Sequence, residues 1–376
     1  MINDTEGGEL FTMSRKSRWL AEWRQSAGKP VFYHVISRVV DPRFMLGVAE
    51  KEKFRVLMRV QEKFTGCRVA SYCLMDNHFH LLLEVPPMAD GGLSDEVLLK
   101  RLAAIYSEAY LAAVAQELAD ARMAIYVDES GPDEALNAIR KRFTYRMHDL
   151  GEFMKGLLQR YTQWHNRTHS RTGRLWEDRF KSLIVEDGVA AKTISAYIDL
   201  NPVRAGMVKD PADYRWSSYG EAMGGGSKGG GKTARARLVR AMRAHHGVVA
   251  DPDLWTDGVS REYLKLLMAG AVGKFSESGS RDGKVVTKTL RKGISKAEAE
   301  REKDCEIALG KMLRCRVRYF TDGAVIGSRG FVDEAFTKSR ERFGTKRKSG
   351  SRRLKGNASP ANGILWSLRD LRKGVA

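Results

Sequence analysis

The segment Asn77-His78-Phe79-His80-Leu81-Leu82-Leu83-Glu84-Val85 carries two imidazoles in a run that is otherwise typical of a buried β-strand. Because side chains alternate between the two faces of a strand, His78 and His80 point to one face and Phe79 points to the other. Two imidazoles on one face can bind one divalent metal ion. The pattern therefore predicts a two-histidine metal site, with an ordinary polar strand face as the alternative.

The segments around this strand indicate the fold. Asp76-Asn77 is a turn signal between it and a preceding strand, so the two strands form a hairpin. β-branched and aromatic residues, and apolar residues at helical spacing, predict the other elements. In chain order these are strand 31–37, helix 50–64, strands 68–75 and 78–85, helices within 94–166, and strand 175–185. The order β-α-β-β-α-β predicts an α+β fold with a ferredoxin-like (split βαβ) antiparallel sheet and added helices.

The remaining sequence suggests four regions. Residues 1–30 form an N-terminal lead segment, and residues 31–222 form the main domain, whose helix 190–200 ends at Asn201-Pro202. The glycine-rich residues 223–233 are typical of a flexible linker. Residues 234–376 are expected to form a mainly helical basic extension, a candidate DNA-binding module, with a loose segment at 276–283 and a charged helix at 296–313.

Composition points to a polyanionic partner. The chain has 376 residues with 65 Lys+Arg against 46 Asp+Glu, a net charge of +19 and a sequence pI near 9.8. Solubility alone does not require this excess, so nucleic acid is the first candidate. The sequence shows neither a basic segment followed by an apolar run at its start nor an apolar stretch long enough to cross a bilayer. We therefore expect a cytoplasmic protein without a membrane partner.

The long helix before the last strand supplies candidates for chemistry. Tyr161 can act as a nucleophile on a phosphate polarised by a metal ion, although a tyrosine on an amphipathic helix more commonly packs against the core. A two-histidine site needs a third ligand from elsewhere. Polar residues near Tyr161 offer one: Gln159, Gln163, His165 and Asn166.

Five motifs together resemble the REP-associated tyrosine transposases, which belong to the HUH single-strand transposase superfamily. The resemblance covers about residues 30–220, with the motifs in the family's order. They are Cys73-Leu74-Met75-Asp76-Asn77-His78-Phe79-His80-Leu81-Leu82, Leu158-Gln159-Arg160-Tyr161-Thr162-Gln163-Trp164-His165-Asn166, Gly173-Arg174-Leu175-Trp176-Glu177-Asp178-Arg179-Phe180-Lys181-Ser182, Tyr197-Ile198-Asp199-Leu200-Asn201-Pro202-Val203-Arg204-Ala205-Gly206 and Trp216-Ser217-Ser218-Tyr219.

The resemblance implies a catalytic domain that uses Mg²⁺ or Mn²⁺ to cut single-stranded DNA beside a hairpin through a 5′-phosphotyrosine intermediate. It matches His78 and His80 to the metal-binding pair and Tyr161 to the nucleophile. For the third ligand it favours Asn166 over His165, with Gln163 behind both. Asp76 departs from the proline of many relatives, which affects the turn more than the metal. The oligomeric state is expected to be a monomer or a homodimer.

Basic and aromatic residues complete the expected DNA interface. In the segment 174–181, cations would hold phosphates and Trp176 would stack on bases, the alternative being a sheet edge with solvated charges. Arg204 is a candidate phosphate ligand after a structural helix stop. The basic tail is either a phosphate-binding arm or a solvated extension. The DNA-binding candidates are Arg174, Trp176, Arg179, Lys181, Arg204, Lys346, Arg347, Lys348, Arg352 and Arg353.

Three functions compete at this level. The first is a metal-dependent tyrosine transposase that cuts and rejoins single-stranded DNA next to hairpins. The second is a non-catalytic regulator that has kept the fold and binds hairpin DNA or RNA without turnover. The third is a replication-initiating or mobilisation nuclease of the same superfamily, which would act on an origin.

Overall fold

A computed structural model describes residues 18–41, 46–127, 134–224, 231–243, 251–271, 274–281, 284–291, 324–354 and 364–368. In the first half of the chain, the elements follow the predicted order of strand, helix, hairpin, helices and strand. The strands are β1 Val31–Arg38, β2 Arg68–Leu74, β3 His78–Val85, β4 Lys181–Val185, β5 Lys274–Arg281, β6 Lys284–Arg291, β7 Val325–Gly327, β8 Arg352–Arg353 and β9 Trp366–Leu368. The helices are α1 Glu22–Ser26, α2 Val48–Thr65, α3 Asp95–Leu102, α4 Glu108–Val127, α5 Glu134–Thr144, α6 Leu150–Thr168, α7 Val189–Asp199, α8 Asn201–Ala205, α9 Ser218–Gly224, α10 Lys232–Arg243, α11 Asp257–Ala271 and α12 Arg329–Lys338.

One mixed sheet organises the molecule. Its strand order is β2-β3-β1-β4-β7-β9-β8, and β5 and β6 form a separate hairpin. The pairs among β2, β3, β1 and β4 are antiparallel, whereas β4 and β7 are parallel. The α+β prediction is confirmed, but the sheet has strands from outside residues 31–222 and is not purely antiparallel.

The C-terminal region therefore differs from the mainly helical extension that we expected. Residues 325–327, 352–353 and 366–368 join the main sheet, and residues 274–291, expected to be partly loose, contain the β5–β6 hairpin. The three sheet strands are two or three residues long, which is too short to produce a readable alternation. The predicted helix 296–313 and most of the glycine-rich linker lie outside the described residues, so the domain boundary at 223–233 stays a prediction.

Alternation along β1 and β3 separates two layers of helices. Phe79, Leu81 and Leu83 pack in one core with α2 and α6. Leu82 on β3 and Phe32 on β1 pack in the other core with α7 and α10. Helices α3, α4 and α5 add a smaller cluster beside α2. Each face of the sheet is thus covered by a different set of helices, which decides what can reach the histidines.

A buried ion pair fixes α10 to the histidine face. Glu84 of β3 is fully buried; its carboxylate lies 2.8 Å from Arg240 Nη2 and 3.2 Å from Arg68 Nη1. We expect Glu84→Gln to lower the free energy of unfolding by about 3 kcal/mol, because it removes the fully buried negative charge that pairs with the mostly buried guanidinium of Arg240. Urea unfolding followed by circular dichroism measures the change.

The matched control for this prediction is Glu117→Gln, which removes an exposed carboxylate 2.6 Å from Arg142 Nη2. Exposed pairs of this kind contribute less than about 1 kcal/mol. Equal losses in the two variants would contradict a structural role for the buried pair.

Candidate active site

The β3 histidines meet a third imidazole from the neighbouring strand. The rings of His78 and His80 have centroids 5.1 Å apart, and His80 is 3% exposed. In the β1–β3 register, Ile36 lies opposite His80 and His34 lies opposite Leu82, so His34 is the diagonal neighbour of His80 on the same face. The Nε2 atom of His34 lies 3.0 Å from Nδ1 of His80. His34 was missed from sequence, although an imidazole within the apolar run of β1 was a usable signal.

Helix α7 brings Tyr197 to this cluster. The Tyr197 ring centroid lies 5.8 Å from those of His34 and His80, and the side chain is 1% exposed. The Cζ atom of Arg204, on the following helix α8, lies 4.7 Å from the centre of the same ring. From the sequence, Asn201-Pro202-Val203-Arg204 is expected to be a structural helix stop, and Tyr197 is not among the candidate site residues. Because α7 is buried around most of its surface, it has no polar face that would have pointed to one functional side chain.

Burial and nearby cations keep the imidazoles neutral. Burial, followed by the charge of Arg38, lowers the pKa of His78 to about 4 against a smaller opposing effect of Asp76. Burial also holds the pKa of His80 well below its usual value, helped by His34, His78 and Arg204. Both side chains are therefore neutral at pH 7, which is the form that binds a metal ion.

The hydrogen bonds of the pair suit metal binding. The Nδ1 atom of His78 lies 2.7 Å from Oδ1 of Asn77, which can only accept, so this nitrogen donates. Nδ1 of His80 is likewise engaged with His34. Both histidines thus keep Nε2 for another partner, the arrangement found where a second residue orients a metal ligand. Across the described ranges, however, no three His, Cys, Asp or Glu side chains converge as a metal site. The pair fits an incomplete ligand set.

Tyr161 lies on the other face of the sheet. Its ring packs against Phe54 and Trp176, at centroid distances of 5.1 and 5.8 Å, in the core that contains Phe79. The side chain is fully buried, and burial, with a smaller effect of Glu50, raises its pKa. The structure therefore does not bring the predicted nucleophile to the histidines, because α6 packs on the face toward which Phe79 points.

The predicted third ligands share the position of Tyr161. His165 is buried against His169, with ring centroids 4.4 Å apart. Nδ2 of Asn166 donates to the carbonyl oxygen of Gly173 at 3.0 Å, and Gln163 lines a surface cleft. All three lie on α6, across the sheet from His78 and His80. None of them is brought to the pair in this structure.

The predicted DNA-binding residues divide between the two faces. Strand β4 begins at Lys181, later than predicted, so Arg174, Trp176 and Arg179 lie in a loop that packs on α6. Lys181 lies opposite Ile36 in the β1–β4 register and therefore shares the histidine face with Arg204. From the sequence, the four residues of the segment 174–181 are expected at one DNA-binding edge, and Arg204 is a separate candidate phosphate ligand.

The basic tail is folded rather than extended as a free arm. The guanidinium carbon of Arg347 lies 4.7 Å from the centre of the Phe343 ring, and its nitrogens donate to the carbonyl oxygens of Ser349 and Gly350 at 3.3 Å. The other predicted cations are exposed around β8: Lys346, Lys348, Arg352 and Arg353. Because β8 is the last strand beyond β7 and β9, this charge lies at the opposite sheet edge from β2 and β3.

A buried carboxyl secures α7 two residues after Tyr197. Asp199 accepts hydrogen bonds from the Tyr219 backbone nitrogen at 3.0 Å and from the Tyr263 hydroxyl at 2.7 Å. Burial raises the pKa of Asp199 to about 7 in spite of these bonds. The folded state therefore binds more protons than the unfolded state between about pH 4 and 7. The resulting stabilisation is complete below about pH 4 and is lost as the pH rises through 7.

We expect Asp199→Asn to remove this dependence on pH. The free energy of unfolding of the variant, relative to the unsubstituted protein, should increase by roughly 3 to 4 kcal/mol between pH 4.5 and 7.5, since only the carboxyl has to ionise. Urea unfolding at both pH values measures the difference. The histidines contribute in the opposite direction in both proteins, so they cancel in this comparison. A difference that is the same at both pH values would contradict the prediction.

Together, these features define an α+β protein in which neutral histidines, a tyrosine and neighbouring arginines meet on one face of the sheet. No protein-family model matches the chain, and no curated protein matches it. A solved structure of a REP-associated tyrosine transposase bound to a REP hairpin is similar at 12% sequence identity, with a TM-score of 0.35. The similarity covers 57% of this chain and 87% of that chain. At this TM-score the likeness carries no argument, so the function rests on the site.

No described helix is both long enough and apolar enough to cross a membrane.

Proposed function

We propose that this protein is a metal-dependent tyrosine transposase or endonuclease of the HUH type, which cuts and rejoins single-stranded DNA next to hairpin sequences. The carrying observation is that His78, His80 and Tyr197 meet on one face of the sheet. The antiparallel order β2-β3-β1-β4, with α2 and α6 on one face, supports a ferredoxin-like catalytic domain. Tyr197 replaces Tyr161 as the proposed nucleophile.

The chain's own cations would bind the DNA backbone at this site. Arg38 and Arg204 lower the pKa of His80 by their charge, so both lie near enough to act on a phosphate bound there. Lys181 lies on the same face. Positive charges around a phosphate stabilise the negative charge that develops during attack. In this structure the guanidinium of Arg204 covers the ring of Tyr197. If Arg204 bound a phosphate instead, its guanidinium would move away from the ring and make Tyr197 more accessible.

His78 and His80 would hold the ion through Nε2, and when bound it would polarise the scissile phosphate. Mg²⁺ prefers oxygen ligands, so the imidazole pair favours Mn²⁺ of the two predicted ions. The Tyr197 oxygen would lose its proton and form a bond to phosphorus while the bond to the 3′ oxygen breaks, and that oxygen would take up a proton, which leaves a 3′ hydroxyl and a 5′-phosphotyrosine. Reversal rejoins the strand without ATP, because the phosphodiester is conserved as a covalent intermediate.

Burial of both tyrosines favours a second candidate function. Tyr161 and Tyr197 are at most 1% exposed, which suits a non-catalytic regulator that binds hairpin DNA or RNA. Incubation of the protein with labelled hairpin-flanked single strands and Mn²⁺ separates the two functions. A covalent adduct that withstands denaturation supports the enzyme. Tight binding that is unaffected by EDTA, without an adduct, supports the regulator.

A further inference from the structure

A groove follows the exposed side of α6, on the face of the sheet opposite the histidines. Its larger part has a volume of 580 Å³ and lies between α6 and residues 173–180. Its smaller part, of 290 Å³, lies between α6, α2 and Arg146. Three residues of α6 line both parts, so the parts adjoin along the helix: Lys155, Gln159 and Gln163. We infer that this α6 groove binds single-stranded DNA, with an unstacked base in its larger part.

The charge of the groove fits a phosphate backbone. The larger part is lined by four cations and a single carboxylate, that of Asp178: the cations are Arg18, Lys155, Arg174 and Arg179. The smaller part is lined by three cations, Arg146, Arg160 and Lys155, and by one carboxylate, Glu152, which lies 3.1 Å from Lys155 Nζ. Burial, followed by the charge of Arg179, lowers the pKa of Arg18 to about 10 against an opposing effect of Asp149, so Arg18 and Arg179 lie close enough to repel each other. A polyanion that follows the helix would supply negative charge to the cations of the groove.

The larger part also offers a place for a base. Leu158, Trp176 and Phe180 line it with apolar surface, and the guanidinium of Arg18 lies 3.3 Å from the centre of the Phe180 ring. Its volume is in the range of about 300 to 1,000 Å³ that small-molecule sites occupy. Aromatic rings and stacked guanidinium groups are what single-strand binding proteins present to bases.

Two buried polar atoms in the same place have no partner within the part of the chain that the structure describes. They are Nη1 of Arg18, a donor, and Oδ1 of Asn166, an acceptor. Unpartnered buried polar atoms are uncommon in folded proteins and call for a ligand or water. A base edge that presents both an acceptor and a donor would satisfy them together. Asn166 was expected to be a metal ligand, but in this inference its side chain binds a base.

The groove and the histidine site would hold different parts of one strand, since the sheet separates them. The inference takes its class of partner from the proposed function, but it does not require cleavage. The groove is therefore tested in EDTA, with a fluorescent single-stranded oligonucleotide that contains 5-iodouracil. Anisotropy measures affinity, and photo-cross-linking followed by peptide mapping locates the bound base.

Charge reversal at exposed groove positions should weaken binding without unfolding the protein. We expect Lys155→Glu and Arg179→Glu each to lower affinity roughly tenfold and to reduce the slope of log affinity against log salt by about one. Lys100→Glu, an exposed cation of α3 outside the groove, should change affinity less than about twofold. Cross-links should map to Trp176 or Phe180, and duplex DNA of the same sequence should not compete for them.

The inference that the α6 groove binds single-stranded DNA would be overturned if the three substitutions had equal effects on affinity. Cross-links found only in peptides of the histidine face would also overturn it. The outcome is separable from the proposed function. Cross-links at Trp176 without any covalent adduct in Mn²⁺ would leave the groove standing and reject the enzyme. An adduct formed at Tyr197, together with unchanged affinity of Arg179→Glu for the oligonucleotide, would support the enzyme and reject the groove as a DNA-binding site.

Discussion

Replacing Tyr197 by phenylalanine is expected to abolish the covalent protein–DNA adduct, with a loss of at least about 10³-fold in the rate of its formation. Removal of a catalytic nucleophile costs up to roughly 10⁶-fold in hydrolases, because no neighbouring group replaces the attacking atom. The substitution removes only the hydroxyl, so the ring should keep its contacts with His34, His80 and Arg204. The adduct is measured on denaturing gels with labelled hairpin-flanked DNA and Mn²⁺.

Tyr161→Phe is the matched control, because it makes the same chemical change at an equally buried tyrosine on the other face of the sheet. The Tyr161 hydroxyl is buried and has no hydrogen-bond partner among the described residues, so its loss should not destabilise the protein. We expect this variant to form the adduct at a rate within about threefold of the unsubstituted protein. Loss of the adduct in Tyr161→Phe with retention in Tyr197→Phe would restore the assignment made from sequence.

The second large effect is expected from the histidine pair. His78→Ala should slow adduct formation by at least about 100-fold, since even residues that only orient a metal ligand change activity by 10- to 100-fold. His78 is partly exposed at the start of β3, so the alanine variant should fold. Binding of Mn²⁺ itself, followed by electron paramagnetic resonance, gives a readout that does not depend on cleavage.

His169→Ala controls for the general effect of losing an imidazole. His169 follows the last residue of α6. Its side chain is exposed, and its Nε2 atom lies 3.0 Å from Oε1 of Glu50 on α2. We expect it to bind Mn²⁺ and form the adduct normally. If His78→Ala retained both Mn²⁺ binding and the adduct, β3 would not be the metal-bearing strand, and the polar-face alternative would be correct.

The sequence was most informative where the decisive geometry is local. The order of the first elements, the turn at Asp76-Asn77 and the shared face of His78 and His80 all follow from chain order and from alternation along one strand. The α+β class was confirmed for the same reason. The short strands β7, β8 and β9 were not predicted from the sequence, because their formation depends on pairing with distant residues more than on their own few side chains.

The site was half predictable for a related reason. His78 and His80 are two residues apart, whereas His34 reaches His80 only through the register between β1 and β3. Tyr161 is the nucleophile that the family resemblance implies, and its polar neighbours on the helix agree with that assignment. Tyr197 lies on α7, which is buried around most of its surface and therefore has no polar face that would indicate a functional residue. The register between two strands and the packing of two helices therefore place the predicted histidine pair away from Tyr161 and beside Tyr197.

By itself, the sequence determined that two imidazoles lie side by side on a strand within a strongly cationic chain. Only the tertiary structure decided which tyrosine meets them, because α7 packs on the face of His80 and α6 packs on the face of Phe79. Side-chain alternation is fixed within a few residues of the chain. The side of the sheet that each helix covers depends instead on burial of apolar surface across the whole molecule.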